Sequence, residues 1–170
     1  TLFPYTTLFR SLHDIGKLAV PLEILEKPAR LDEEEWPVMR SHVYYSYQAL
    51  EAVEALREIT PWSALHHERL NASGYPFGYG EEQIPLGARI IAVADVFTGI
   101  TEDRPYRKGM LRGQAQAVLE DMVERHELDG YLVETLLIHY EELNAIREKA
   151  QDEATAEYQA FREALDHAAD

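Results

Sequence analysis

Cysteine is absent from this 170-residue chain, which excludes disulfides and any thiolate metal site. No apolar run approaches the roughly 20 residues that a membrane-spanning helix needs. Positive charge is scarce: 16 Lys and Arg stand against 31 Asp and Glu, a formal net charge of −15. A polyanion needs a basic surface, so a general binder of polymeric nucleic acid is excluded as well. Strand signals are also lacking, since no segment alternates apolar and polar residues convincingly or carries a hairpin turn. A thiol-free chain of this length with one good-sized core fits a reducing, cytoplasmic setting.

What charge there is has been placed unevenly. Residues 120–170 hold 15 acidic and 4 basic residues, so most of the negative balance lies in the last third. Arg104, Arg107, Lys108 and Arg112 fall within nine positions of one another. A local basic patch in an acidic chain suits a small phosphorylated ligand held at one place.

Helical periodicity organises the rest. Asp32 followed by Glu35 has the form of a capping box, and Met39, Val43, Tyr47, Leu50 and Val53 then keep helical spacing with His42 among them. Pro61 opens a short helix that delivers His66 and His67. The stretch Asn71–Gly80, with Gly74, Pro76, Gly78 and Gly80, is a loop. Pro85 leads into an apolar helix over Ile90–Ile100, and residues 113–127 form an amphipathic helix. From Tyr131 a stripe through Leu136, Tyr140, Leu143, Ile146, Tyr158, Phe161 and Leu165 predicts one or two long helices. That stripe could pair with a second copy of the chain, giving a homodimer. The fold class expected is all-α, a helical bundle with long C-terminal helices.

Four of the seven histidines and two carboxylates can be written as one cluster: His13, Asp14, His42, His66, His67 and Asp95. Neutral imidazoles and carboxylates are the ligand set that suits Zn, Fe, Mn and related divalent ions. Asp95 is the only ionisable residue of Ile90–Ile100, and an unpaired carboxylate buried there would cost several kcal/mol. It therefore calls for a metal, a cation or a proton. Asp14 raises the same problem between Leu12 and Ile15. His126, His139 and His167 have no other ligand type patterned around them and are read as ordinary histidines.

Several motifs then follow in order: His13-Asp14-Ile15-Gly16-Lys17, His66-His67-Glu68, Gly74-Tyr75-Pro76, Ile84-Pro85-Leu86, Ala94-Asp95-Val96-Phe97 and Asp103-Arg104-Pro105-Tyr106-Arg107. On these residues the chain resembles the HD-GYP family, a branch of the HD-domain phosphohydrolases. The resemblance implies hydrolysis of cyclic di-GMP by a water activated on two or three divalent metals, with iron or manganese foremost and zinc, nickel or magnesium as further options. It implies His13, Asp14, His42, His66, His67 and Asp95 as metal ligands, with Asp14 bridging and serving catalysis. Lys17 would place a positive charge on the scissile phosphate, Arg104 and Arg107 would clamp phosphate oxygens, and Tyr75 would stack against or hydrogen-bond the nucleotide.

The chain departs from the family pattern at Thr98, where a second aspartate is usual, at Ala72, where a loop glycine is usual, and at Ser46, also commonly glycine. Two alternatives follow: an HD-type phosphohydrolase acting on another nucleotide, or a non-catalytic signalling module on the same fold. Residues 1–11 have no helical period and resemble translated adapter read-through, so they are expected to be a non-native scar. The expected organisation is then a catalytic core at 12–128, lacking the family's upstream helices, and a helical extension at 129–170.

Overall fold

The computed structural model describes residues 12–103 and 107–168 of the chain. The expected scar at 1–11 and Arg104 lie outside the described residues. Seven α-helices form among the described residues: α1 (Leu22–Leu25), α2 (Glu35–Glu51), α3 (Thr60–Leu65), α4 (Leu86–Thr101), α5 (Arg112–Glu124), α6 (Gly130–Ile138) and α7 (Tyr140–Ala168). Short 3-10 turns lie at Ile15–Ala19, Glu54–Leu56 and Glu81–Gln83. No strand forms among the described residues, and one antiparallel bridge joins Asn71 to Gly80. The all-α expectation holds, and the C-terminal stripe resolves into two helices. None of the helices described is long and apolar enough to cross a membrane. The chain divides into two compact units, one ending at Val133 and the other beginning at Glu134.

In the first unit, α2 starts as its sequence dictates. The Asp32 carboxylate accepts the N–H groups of Glu34 and Glu35 at 3.0 Å, and the Glu35 carboxylate reaches back to the Asp32 N–H at 2.9 Å. These reciprocal bonds satisfy donors that a helix start leaves open. Lys27 pairs with the same two acids. One face of α2 then turns inward, burying His42, Val43, Ser46 and Leu50. The helical period ends sooner than expected, because Val53 lies past the helix end and is exposed.

Gly16 makes the next step possible. A Cβ there would lie 2.0 Å from the His42 carbonyl oxygen, so only glycine lets the 3-10 turn sit directly on α2. The Gly16 N–H donates to the Ser46 hydroxyl at 2.9 Å, fixing that contact. Ser63 of α3 adds a second tie, donating to the His13 carbonyl at 2.8 Å. Each buried bond contributes about 1 kcal/mol, and together they set His13 and Asp14 against α2 and α3. Ala64 and Leu65 of α3 pack with Ala88 of α4 and with Leu70 and Ile84 from the segment between them in one apolar core.

Candidate metal centre

Four side chains converge from three elements. Asp14 precedes the 3-10 turn, His42 comes from α2, and His66 and His67 follow the last residue of α3. Each offers one ligand atom, and those atoms all lie within 4.8 Å of one another. His13 joins them at the edge, with Nε2 at 3.3 Å from Asp14 Oδ2. Asp95 on α4 approaches from the other side, Oδ2 lying 3.9 Å from His67 Nδ1. The structure thus brings together all six residues of the expected cluster, four tightly and two at its margin.

The protonation pattern of this cluster is decided by the backbone. His42 Nδ1 lies 2.6 Å from the Met39 carbonyl, and His66 Nδ1 lies 2.6 Å from the Ser63 carbonyl. A carbonyl oxygen only accepts, so in both neutral rings Nδ1 carries the proton and Nε2 is a bare lone pair. Those lone pairs face a carboxylate: His42 Nε2 is 3.2 Å from Asp14 Oδ1, and His66 Nε2 is 4.0 Å from it. All three atoms are buried without a hydrogen-bond partner. Leaving a buried acceptor unsatisfied costs about 1–3 kcal/mol, and here three of them point at one another. A divalent cation among them turns that repulsion into coordination, and a backbone carbonyl holding the far ring nitrogen is the usual support of a metal-bound histidine. The residues fit a metal.

The electrostatics agree. Burial pushes the His66 imidazole down to about 4, so it is neutral and available as a ligand near neutral pH. Burial likewise depresses His67, with the neighbouring His66 and His42 adding to the effect. For Asp14, burial pushes the carboxyl up, but contacts with His13, His42 and Lys17 outweigh it and hold it well below the ordinary carboxylate range. The His42 share of that pull needs a proton on Nε2; the Lys17 ion pair does not, and it keeps Asp14 ionised.

The other expected site residues are spread more widely. Lys17 is ion-paired to Asp14 at the mouth of the cluster. A cleft of about 480 Å³ opens beside these two, walled by Ile15, Leu18, Val20, Leu22 and Leu25. Tyr75 lies against the cluster, its ring 4.8 Å from that of His67 and inclined by 25°. Burial pushes its phenol well above the ordinary range, so the hydroxyl stays a donor. Arg107 has another use: it donates to the Gly99 carbonyl at the end of α4, and no described contact joins it to the cluster.

Asp95 is not the buried carboxylate that its apolar surroundings in the sequence predict. Its helix is apolar in composition, yet Asp95 is 39 % exposed and Ile90 is exposed too. Burial alone therefore does not demand that Asp95 be neutralised. The orphaned acceptors around Asp14 carry that argument instead.

Sequence reasoning missed two features beside the site. Glu68 is 2 % exposed, and its carboxylate accepts the N–H groups of Phe77 at 2.7 Å and Tyr79 at 3.0 Å. It anchors the loop that carries Tyr75. Gly74 packs in the same place, where a Cβ would lie 2.4 Å from backbone atoms of Glu68 and Arg69. Their adjacency to the His-His pair and the Gly-Tyr-Pro sequence was the available signal. The second feature is Arg40, whose guanidinium carbon sits 4.9 Å from the Tyr75 ring centre and 5.7 Å from that of Trp36.

A paired histidine and aspartate before one turn, completed by a histidine on one helix and two just past the end of another, is the arrangement expected of an HD domain. The model of that family, described as HD domain, matches residues 7–132. The chain belongs to the HD-domain family. Among curated proteins, this HD domain is 45 % identical over 105 residues to a cyclic di-GMP phosphodiesterase of Pseudomonas aeruginosa, covering 61 % of this chain and 25 % of that protein. It is 41 % identical over 110 residues to a 3'3'-cGAMP-specific phosphodiesterase of Vibrio cholerae, covering 65 % and 24 %. A cyclic di-GMP phosphodiesterase of Thermotoga maritima is 34 % identical over 152 residues, covering 85 % and 40 %. The HD domain here thus spans less than half the length of these relatives.

Proposed function

We propose that this HD domain is a metal-dependent phosphodiesterase that hydrolyses cyclic di-GMP, acting in the bacterial cytoplasm. The observation that carries the reading is the set of bare, buried lone pairs of Asp14, His42 and His66 aimed at one point. Asp14 turns Oδ1 toward His42 and His66 and Oδ2 toward His13 and Lys17, so one carboxylate can serve two ions. With His67 beside it and Asp95 and His13 at the margins, this N/O donor set suits two divalent ions, iron or manganese before zinc, nickel or magnesium. Bound divalent metal lowers the pKa of a water and neutralises charge on a phosphodiester.

The chain's own residues supply the rest. Lys17, held by Asp14, keeps a positive charge at the mouth of the site, where an anionic phosphate must enter. The Tyr75 hydroxyl keeps its proton and can donate a hydrogen bond to a phosphate oxygen, its ring stacked on that of His67. A second reading of the substrate, 3'3'-cGAMP, draws on the relatives named for it. The test is product analysis with both cyclic dinucleotides on manganese- or iron-loaded protein. The reading expects linear dinucleotide or mononucleotide from cyclic di-GMP, and none from the Asp14→Asn variant. Loaded protein that cleaves neither cyclic dinucleotide contradicts it.

A further inference from the structure

Arg40 is exposed on α2, two residues before His42, and it forms no ion pair or hydrogen bond among the described residues. Its guanidinium is nevertheless held in place by rings, 5.7 Å from the centre of Trp36 and 4.9 Å from that of Tyr75. Cation–π contacts of this kind use the face of the guanidinium and leave its N–H edges open. The fork is thus pre-positioned with its donors unspent. Trp36 beside it is 46 % exposed, a large aromatic surface in the open. The same Tyr75 ring lies 4.8 Å from the His67 imidazole and 4.9 Å from this guanidinium, so the subsite is at most about 10 Å from that metal ligand, within the reach of one nucleoside.

We propose that Arg40 and Trp36 form the subsite for a guanine base of the cyclic dinucleotide. Arg40 donates its two parallel N–H bonds to O6 and N7, and the exposed Trp36 ring covers the base. Guanine presents two acceptors on that edge, whereas adenine pairs its N7 acceptor with an amino donor that would oppose the fork. A guanine is also the feature common to cyclic di-GMP and 3'3'-cGAMP, the substrates in the relatives' names. The inference rests on the phosphodiesterase reading and adds the residues that would select its substrate.

Steady-state kinetics on metal-loaded protein, with cyclic di-GMP and the base-free diester bis(p-nitrophenyl) phosphate, separate the two claims. Arg40→Ala should raise KM for cyclic di-GMP about tenfold, leave kcat within about twofold, and leave the base-free diester unaffected. Arg40→Lys should not restore KM, because an ammonium lacks the fork. An unchanged KM for cyclic di-GMP, or an equal loss on both diesters, overturns the subsite. If wild-type protein hydrolyses neither diester, the phosphodiesterase reading fails, and tryptophan emission then decides the subsite. GMP should quench the wild type, with the response lost in Trp36→Phe and Arg40→Ala. No quenching by GMP, or equal quenching by AMP, overturns it.

Discussion

Replacing Asp14 with asparagine should make the metal-free protein more stable while abolishing its metal site. In the wild type without metal, Asp14 Oδ1 lies 3.2 Å from the bare Nε2 of His42 and 4.0 Å from that of His66, all three buried. An asparagine can turn its amide nitrogen to that side and donate to His42, converting an acceptor–acceptor contact into a hydrogen bond. Satisfying buried acceptors recovers about 1–3 kcal/mol. On the other side the remaining amide oxygen still accepts from Lys17. What is lost there is the charge of an ion pair whose lysine is 40 % exposed, worth about 0–1 kcal/mol. The balance favours asparagine by about 1–2 kcal/mol, or roughly 4–8 °C in Tm for a unit of this size. The comparison belongs near pH 8, where the contact is between unprotonated groups. Thermal melts in chelator and in manganese read both halves: Asp14→Asn should melt higher in chelator, and only the wild type should gain stability from metal. A variant that melts lower than wild type in chelator, or still gains stability from manganese, would refute the reasoning.

Further outcomes follow from the same contacts. Metal-free protein should lose stability as pH falls below about 6.5, because the unfolded chain protonates His66 and His67 first; pH-dependent denaturant melts should show a loss of at least about 3 kcal/mol by about pH 4, the share of His66 alone. Glu68→Gln leaves a single oxygen for two backbone donors, so it should cost about 2–4 kcal/mol in chemical denaturation and loosen the Tyr75 loop to proteolysis. Ala72 holds φ at +63°, which an L side chain adopts at a cost; Ala72→Gly should raise stability by about 1 kcal/mol, measured by the same denaturation.

The helices and the ligand types were legible because both follow from local rules. Periodicity placed α2, α4 and the C-terminal helices, Asp32 and Glu35 formed their reciprocal cap, and Pro61 opened the helix that delivers His66 and His67. Asp95 misled because apolar composition tells what a helix could bury, not which of its faces meets a partner; α4 leaves Asp95 and Ile90 partly open. Ser46 and Ser63 gave no sequence signal, since their bonds to the His13–Gly16 segment span 30 and 50 residues. Arg40 gave no sequence signal either, since its partner Tyr75 arrives on a loop far along the chain. Arg107 was legible as a basic residue near the site, but its guanidinium serves a helix-end carbonyl, a choice set by tertiary placement.

Metal content tests the central claim most directly. Protein purified without chelator and analysed for iron, manganese, zinc and nickel should carry at least one ion per chain. His66→Ala, which removes a buried donor from the four that converge, should lower that content sharply while the fold persists. Wild-type protein that stays folded, carries no metal and takes none up from an excess of manganese or iron would contradict the account.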